Sequence, residues 1–104
     1  MNEQKIETLK NRIVECEHPE TIILFGSYAD GTATPASDVD ILVVSDSDLP
    51  RRQREIELRK RLFGLGMALD MRVLTPDEFN NRLRQGSPFL RQVVSTGKVI
   101  YQRG

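Results

Sequence analysis

Two aspartates, Asp38 and Asp40, stand one residue apart in SDVDILVV, where a run of apolar β-formers begins. Side chains two apart on a strand leave the same face, about 6.6 Å apart at their bases. Two carboxylates held side by side repel, and a cation between them relieves the repulsion. Hard oxygen donors select Mg²⁺, which keeps several waters and completes its shell with phosphates. Upstream, the apolar run Ile22 to Phe25 reads as a strand and leads directly into Gly26 and Ser27. A residue without a side chain at a strand end lets the backbone approach a phosphate. A helix starting there adds unpaired N–H groups and the positive end of its dipole. The Ser27 hydroxyl can contribute a further hydrogen bond to a phosphate oxygen. The turn is not a P-loop, because the second glycine at the required spacing and the Lys-Ser/Thr pair are absent. Asp70, in MALDMRVL, is an acid within an apolar strand. It faces water, pairs with Arg72 or has a chemical task, since burying an unpaired carboxylate is costly.

Gly26, Ser27, Gly31, Ser37, Asp38 and Asp40 together resemble the signature of the nucleotidyltransferase superfamily to which DNA polymerase β belongs. That signature is Gly-Ser, a short helix, then two aspartates separated by one residue. The combination between two apolar strands is far more specific than either part alone. The resemblance implies an α/β (α+β) nucleotidyltransferase fold, a small mixed β-sheet with helices packed on it, with residues 1–104 as a single minimal domain. It implies that Asp38, Asp40 and Asp70 hold two Mg²⁺ ions, Asp70 at the ion nearer the acceptor hydroxyl, where it helps remove the proton. Gly26, Ser27 and Ser37 then contact the nucleotide. ATP is the implied substrate, attacked at its α-phosphate with pyrophosphate leaving, and two such ions stabilise both the attacking and the leaving oxygen.

Within that superfamily the chain looks like the minimal nucleotidyltransferases, often encoded beside a helical HEPN partner. That likeness implies a cytoplasmic antitoxin of a toxin–antitoxin pair, a protein adenylyltransferase that AMPylates a tyrosine of the HEPN toxin and forms a hetero-oligomer with it. No membrane and no direct nucleic-acid contact is expected. Two alternatives stay open. One is the same chemistry on a small hydroxylated molecule, disfavoured because no second domain is evident to form its pocket. The other is a non-catalytic binding module that neutralises its partner by contact. Its support is Asp30, which in GSYADG stands where the family often has arginine.

The elements that must position these residues follow from periodicity and punctuation. Ile6, Leu9, Ile13 and Val14 recur at helical spacing, predicting a helix from Asn2 to about Glu17 that ends at His18-Pro19. Pro50 suits the first turn of a second long helix, Arg51 to about Gly64. Its six basic residues against Glu55 and Glu57 suggest a mostly solvated face. Met67 to Leu74 reads as a strand. Thr75-Pro76-Asp77-Glu78 spells a capping box, and Ser87-Pro88 repeats the device for a last helix stopped by Gly97. Lys98 to Tyr101 reads as an edge strand.

Composition limits the remaining choices. Hydrophobic residues make up 38% and charged residues 29%, which excludes a disordered chain, and no apolar run approaches the span of a bilayer. A lone cysteine, Cys16, excludes an internal disulfide and a cysteine-based zinc site, as expected of a reducing compartment. His18, the single histidine, has no nucleophile motif beside it and reads as structural. The net charge of zero conceals a polarity: residues 1–50 carry 3 − 10 = −7 and residues 51–104 carry 12 − 5 = +7. A basic second half suits a nucleoside triphosphate or an acidic partner face.

Overall fold

The computed structural model describes residues 3–34 and 36–103. Its elements, in chain order, are α1 (Glu3–Glu17), β1 (Thr21–Phe25), α2 (Ser27–Asp30), β2 (Val39–Val44), α3 (Arg51–Arg61), β3 (Leu69–Leu74), α4 (Pro76–Arg84), α5 (Pro88–Thr96) and β4 (Lys98–Gln102). The strands form one mixed sheet in the order β3-β2-β1-β4, with β2 and β3 parallel and the other pairs antiparallel. Asn2, expected to open α1, lies outside the described residues.

Because β side chains alternate, each strand feeds two cores. Ile22, Leu24, Val39, Ile41, Val43, Met71 and Val73 face α1 and α3, where Leu9, Ile13 and Leu58 close the layer. Ile23, Leu42, Val44 and Leu74 face the other way, against Leu90 and Val93 of α5 and the flanks Phe79 and Leu83 of α4. The sheet is thus sandwiched between helices, and β2 is buried at five of its six positions.

The helix ends follow their sequence signals closely. Thr75 accepts from the Glu78 backbone N–H while Glu78 accepts from the Thr75 N–H, a complete capping box with Pro76 at the first helical position. Ser87 caps α5 with its side chain alone, accepting from the Leu90 N–H. Gly97 ends α5 in an extended conformation, so its role is space: a Cβ there would strike the Val93 carbonyl oxygen and the Ile23 side chain. His18 leaves α1 with φ 52, the left-handed turn that redirects the chain into β1. Several boundaries differ from the sequence expectation, and α3 ends at Arg61 rather than near Gly64. Pro50 is the N-cap of α3 rather than a member of its first turn, and β3 begins at Leu69 rather than Met67.

The basic helix α3 is mostly solvated, as expected, with Arg51, Arg52, Arg59, Lys60 and Arg61 exposed, but it does more. Arg54 is 8% exposed. It donates to the Leu49 and Val73 carbonyls and forms a fork with Glu78 at 2.6 and 2.9 Å. Glu55 accepts from the Val73 N–H and Arg59 donates to the Leu69 carbonyl. These bonds satisfy the outer groups of Val73 and the outer carbonyl of Leu69 on β3, an edge strand that would otherwise offer itself for pairing. Helix α3 therefore holds β3, and with it Asp70, in register against β2.

Candidate active site

The aspartates lie where the second core gives out. Asp40, Leu42 and Val44 of β2 and Asp70, Arg72 and Leu74 of β3 project from one face, because alternate residues share a side. Helices α4 and α5 cover the Leu42, Val44 and Leu74 end and leave the aspartate end open. Parallel pairing sets Asp40 directly beside Asp70, and antiparallel pairing sets Asp40 beside Phe25. Asp38 precedes Asp40 by two residues and is exposed just ahead of the strand.

The electrostatics record this crowding. Partial burial, then the charges of Asp70 and Asp38 and a hydrogen bond with Asp70, push the Asp40 carboxyl above its ordinary range, and Arg72 only partly opposes them. The side chain of Asp70 is half-exposed and turned toward Arg72 at 3.9 Å. The pairing with Arg72 and the approach to Asp40 thus coexist. Among the described residues, no three His, Cys, Asp or Glu side chains already converge tightly enough to hold an ion. The donor set nevertheless fits a hard divalent cation: oxygen donors only, Asp40 and Asp70 side by side, and three carboxylates against the single guanidinium of Arg72.

Gly26 has a steric role at the site beyond the sequence expectation. Its backbone, φ 72 and ψ −149, lies in a region essentially restricted to glycine, and a Cβ there would run into the Asp40 carboxylate. The bare backbone is therefore required first by Asp40. Ser27 opens α2, whose early N–H groups have no helical acceptor. Gly31 closes that single turn in the left-handed conformation at φ 86. Ser37 is engaged locally: its hydroxyl accepts from the Thr34 N–H at 2.9 Å, and its own N–H donates to the Thr34 carbonyl. Asp30 is fully exposed and bound to its own turn, accepting from the Thr32 N–H and hydroxyl, bonds that hold its carboxyl below the usual range.

Sequence reasoning passed over the aromatic wall of the site. Phe25 and Phe89 meet edge-to-face at 5.5 Å, and the Arg72 guanidinium lies 5.2 Å over the Phe89 ring. Arg72 could have been found from its position two residues after Asp70. Phe89 had no such signal, because its contact is made across the fold.

Residues 7–104 match the family model described as polymerase beta, nucleotidyltransferase. The chain belongs to that family. It is similar to a Methanocaldococcus jannaschii protein named "putative protein adenylyltransferase", at 40% identity over 77% of this chain and 76% of that protein. It is also similar to a chain in a crystal structure of a toxin–antitoxin with AMP-PNP, at 31% identity and TM-score 0.62 over 99% of this chain and 75% of that one. A third likeness, at 24% identity and TM-score 0.62, shows the fold alone. It is to a chain in a structure of a tri-AMPylated Shewanella oneidensis HEPN toxin with its MNT antitoxin, covering 99% of this chain and 74% of that one. The nucleotidyltransferase fold and class of enzyme expected from Gly26 to Asp70 are thus borne out. No helix among the described residues is long and apolar enough to cross a membrane.

Proposed function

We propose that this nucleotidyltransferase moves AMP from ATP to a hydroxyl of a protein partner, a HEPN-type toxin, and so acts as its antitoxin. The observation that carries the reading is the register that sets Asp40 beside Asp70 and against the bare backbone of Gly26. Support for a protein acceptor comes from the relative named for protein adenylylation and from the toxin–antitoxin setting of the AMP-PNP complex.

Asp38, Asp40 and Asp70 are the residues that would hold Mg²⁺, which when bound neutralises phosphate charge and activates the attacking oxygen. The Gly26–Ser27 turn takes the triphosphate, with backbone N–H groups and the Ser27 hydroxyl as donors. Ser37 acts on the nucleotide indirectly, by holding the loop that leads into Asp38. Asp70, half-exposed at the acceptor side, orients the attacking hydroxyl and accepts its proton. ATP labelled at the α-phosphate tests this: label should appear on the partner only with Mg²⁺ and wild-type aspartates, and label from the γ-phosphate should not. Transfer of the γ-label would place the reaction in another class.

A further inference from the structure

The rim of the site beyond Asp70 carries the opposite charge. Arg72 leaves the same face of β3 as Asp70, about 6.6 Å further along the strand, and its guanidinium lies over the Phe89 ring. Arg51 from the start of α3 and Arg82 from α4 line the same shallow pocket, with Ser87 and Leu74 in its wall. Three converging guanidiniums repel as the aspartates do, and an anion relieves them. The neighbouring acids do not supply it. Glu78 acts on Arg82 at a distance but gives both oxygens to Arg54. Asp70 approaches Arg72 only to 3.9 Å and faces Asp40 as well. Among the described residues, Arg51 and Arg82 make no ion pair.

The sheet order gives the pocket its side. In β3-β2-β1-β4 the Gly26–Ser27 turn lies on the β1 side of Asp40 and the arginines lie on the β3 side. An anion in this pocket sits on the Asp70 side of the site, the side that the proposed function gives to the acceptor. Arginine forks match the paired oxygens of phosphate and carboxylate. We propose that Arg51, Arg72 and Arg82 form an anion subsite that reads a phosphate or carboxylate carried by the acceptor protein beside its target hydroxyl. The proposal rests on the reading of the chain as a protein adenylyltransferase.

Binding is tested without catalysis. Inorganic phosphate and acetate are titrated separately into the protein free of Mg²⁺ and ATP, following the arginine Nε–H and the backbone N–H signals by NMR. The expected result is saturable shifts at Arg51, Arg72 and Arg82, weakened about tenfold or more in the Arg51→Gln/Arg82→Gln double variant. The tighter of the two anions names the group. Shifts confined to the Gly26–Ser27 turn, or equal affinity in the double variant, overturn the proposal. In the second arm, tyrosine peptides that are neutral, glutamate-bearing or phosphoserine-bearing are offered with Mg²⁺-ATP. An anionic peptide should show a KM lower by about tenfold, and the double variant should lose that preference. Equal KM for all peptides overturns the subsite. Transfer to no peptide while phosphate still binds at the arginines upholds the subsite and counts against the adenylyltransferase reading.

Discussion

Replacing Glu78 by glutamine tests how the site is held up. The change keeps an oxygen for the Thr75 N–H but removes the charge that neutralises the buried Arg54. The fork with Arg54 holds the Glu78 carboxyl at about 2 against an ordinary 4.5. At about 1.4 kcal/mol for each unit of pKa, the difference 4.5 − 2 bounds the pair at about 3.4 kcal/mol. Glu78 is 33% exposed, so solvent screening reduces the expected loss to about 2 kcal/mol. For a domain of this size that is a fall of about 10 °C in Tm. The pH dependence has a definite sign. A depressed carboxyl contributes stability above its unfolded value of 4.5 and loses it as pH falls toward about 2. Urea unfolding of both proteins from neutral to acid pH should therefore show a gap that closes in that window. A gap at neutral pH below about 0.5 kcal/mol, or one that stays constant into acid, would refute the account of how α3 and α4 brace β3.

Other outcomes follow from the site itself. Asp40→Asn should abolish transfer yet raise Tm near neutral pH, because partial burial and then the charges of Asp70 and Asp38 have raised this carboxyl; the gain should vanish as pH falls through its pKa, and an unchanged melt would contradict that cause. Mg²⁺ should raise the Tm of the wild type more than that of Asp40→Asn, as a ligand bound to the folded state does; equal shifts would remove Asp40 from the ion. Gly26→Ala should cost both stability and activity, since the side chain meets the Asp40 carboxylate in a backbone region that only glycine favours, and a normal melt with normal turnover would show the turn to be pliable. Asp30→Arg should leave ATP affinity unchanged in a titration with Mg²⁺, because Asp30 is exposed and tied to Thr32; a marked gain would place position 30 at the triphosphate.

What could be read from the sequence was what local chemistry specifies. The bounds of β2, the capping box at Thr75 and Glu78, the Ser87 cap and the edge strand β4 each depend on residues within a few positions of one another. The placement of Asp40 beside Asp70 was reachable only through the family resemblance, since nothing local sets a register between residues 30 positions apart. The remaining contacts join distant parts of the chain. Arg54 looked like one more charge on a basic helix until Glu78, a capping residue by its own signal, proved to be its partner 24 residues away. Gly26 looked like a phosphate turn alone, and its need for an absent side chain became visible only with Asp40 in place. Phe89 is an exposed member of α5, and that it lies under Arg72 beside the site became visible only with β3 in place.

The most direct measurement is the intact mass of the HEPN-type partner after incubation with ATP, Mg²⁺ and either the wild-type chain or Asp40→Asn. The account predicts a stable increase of one or more AMP units with the wild type and none with the variant. A partner that is held and inhibited by both proteins with its mass unchanged would contradict catalysis and identify the chain as a binding antitoxin.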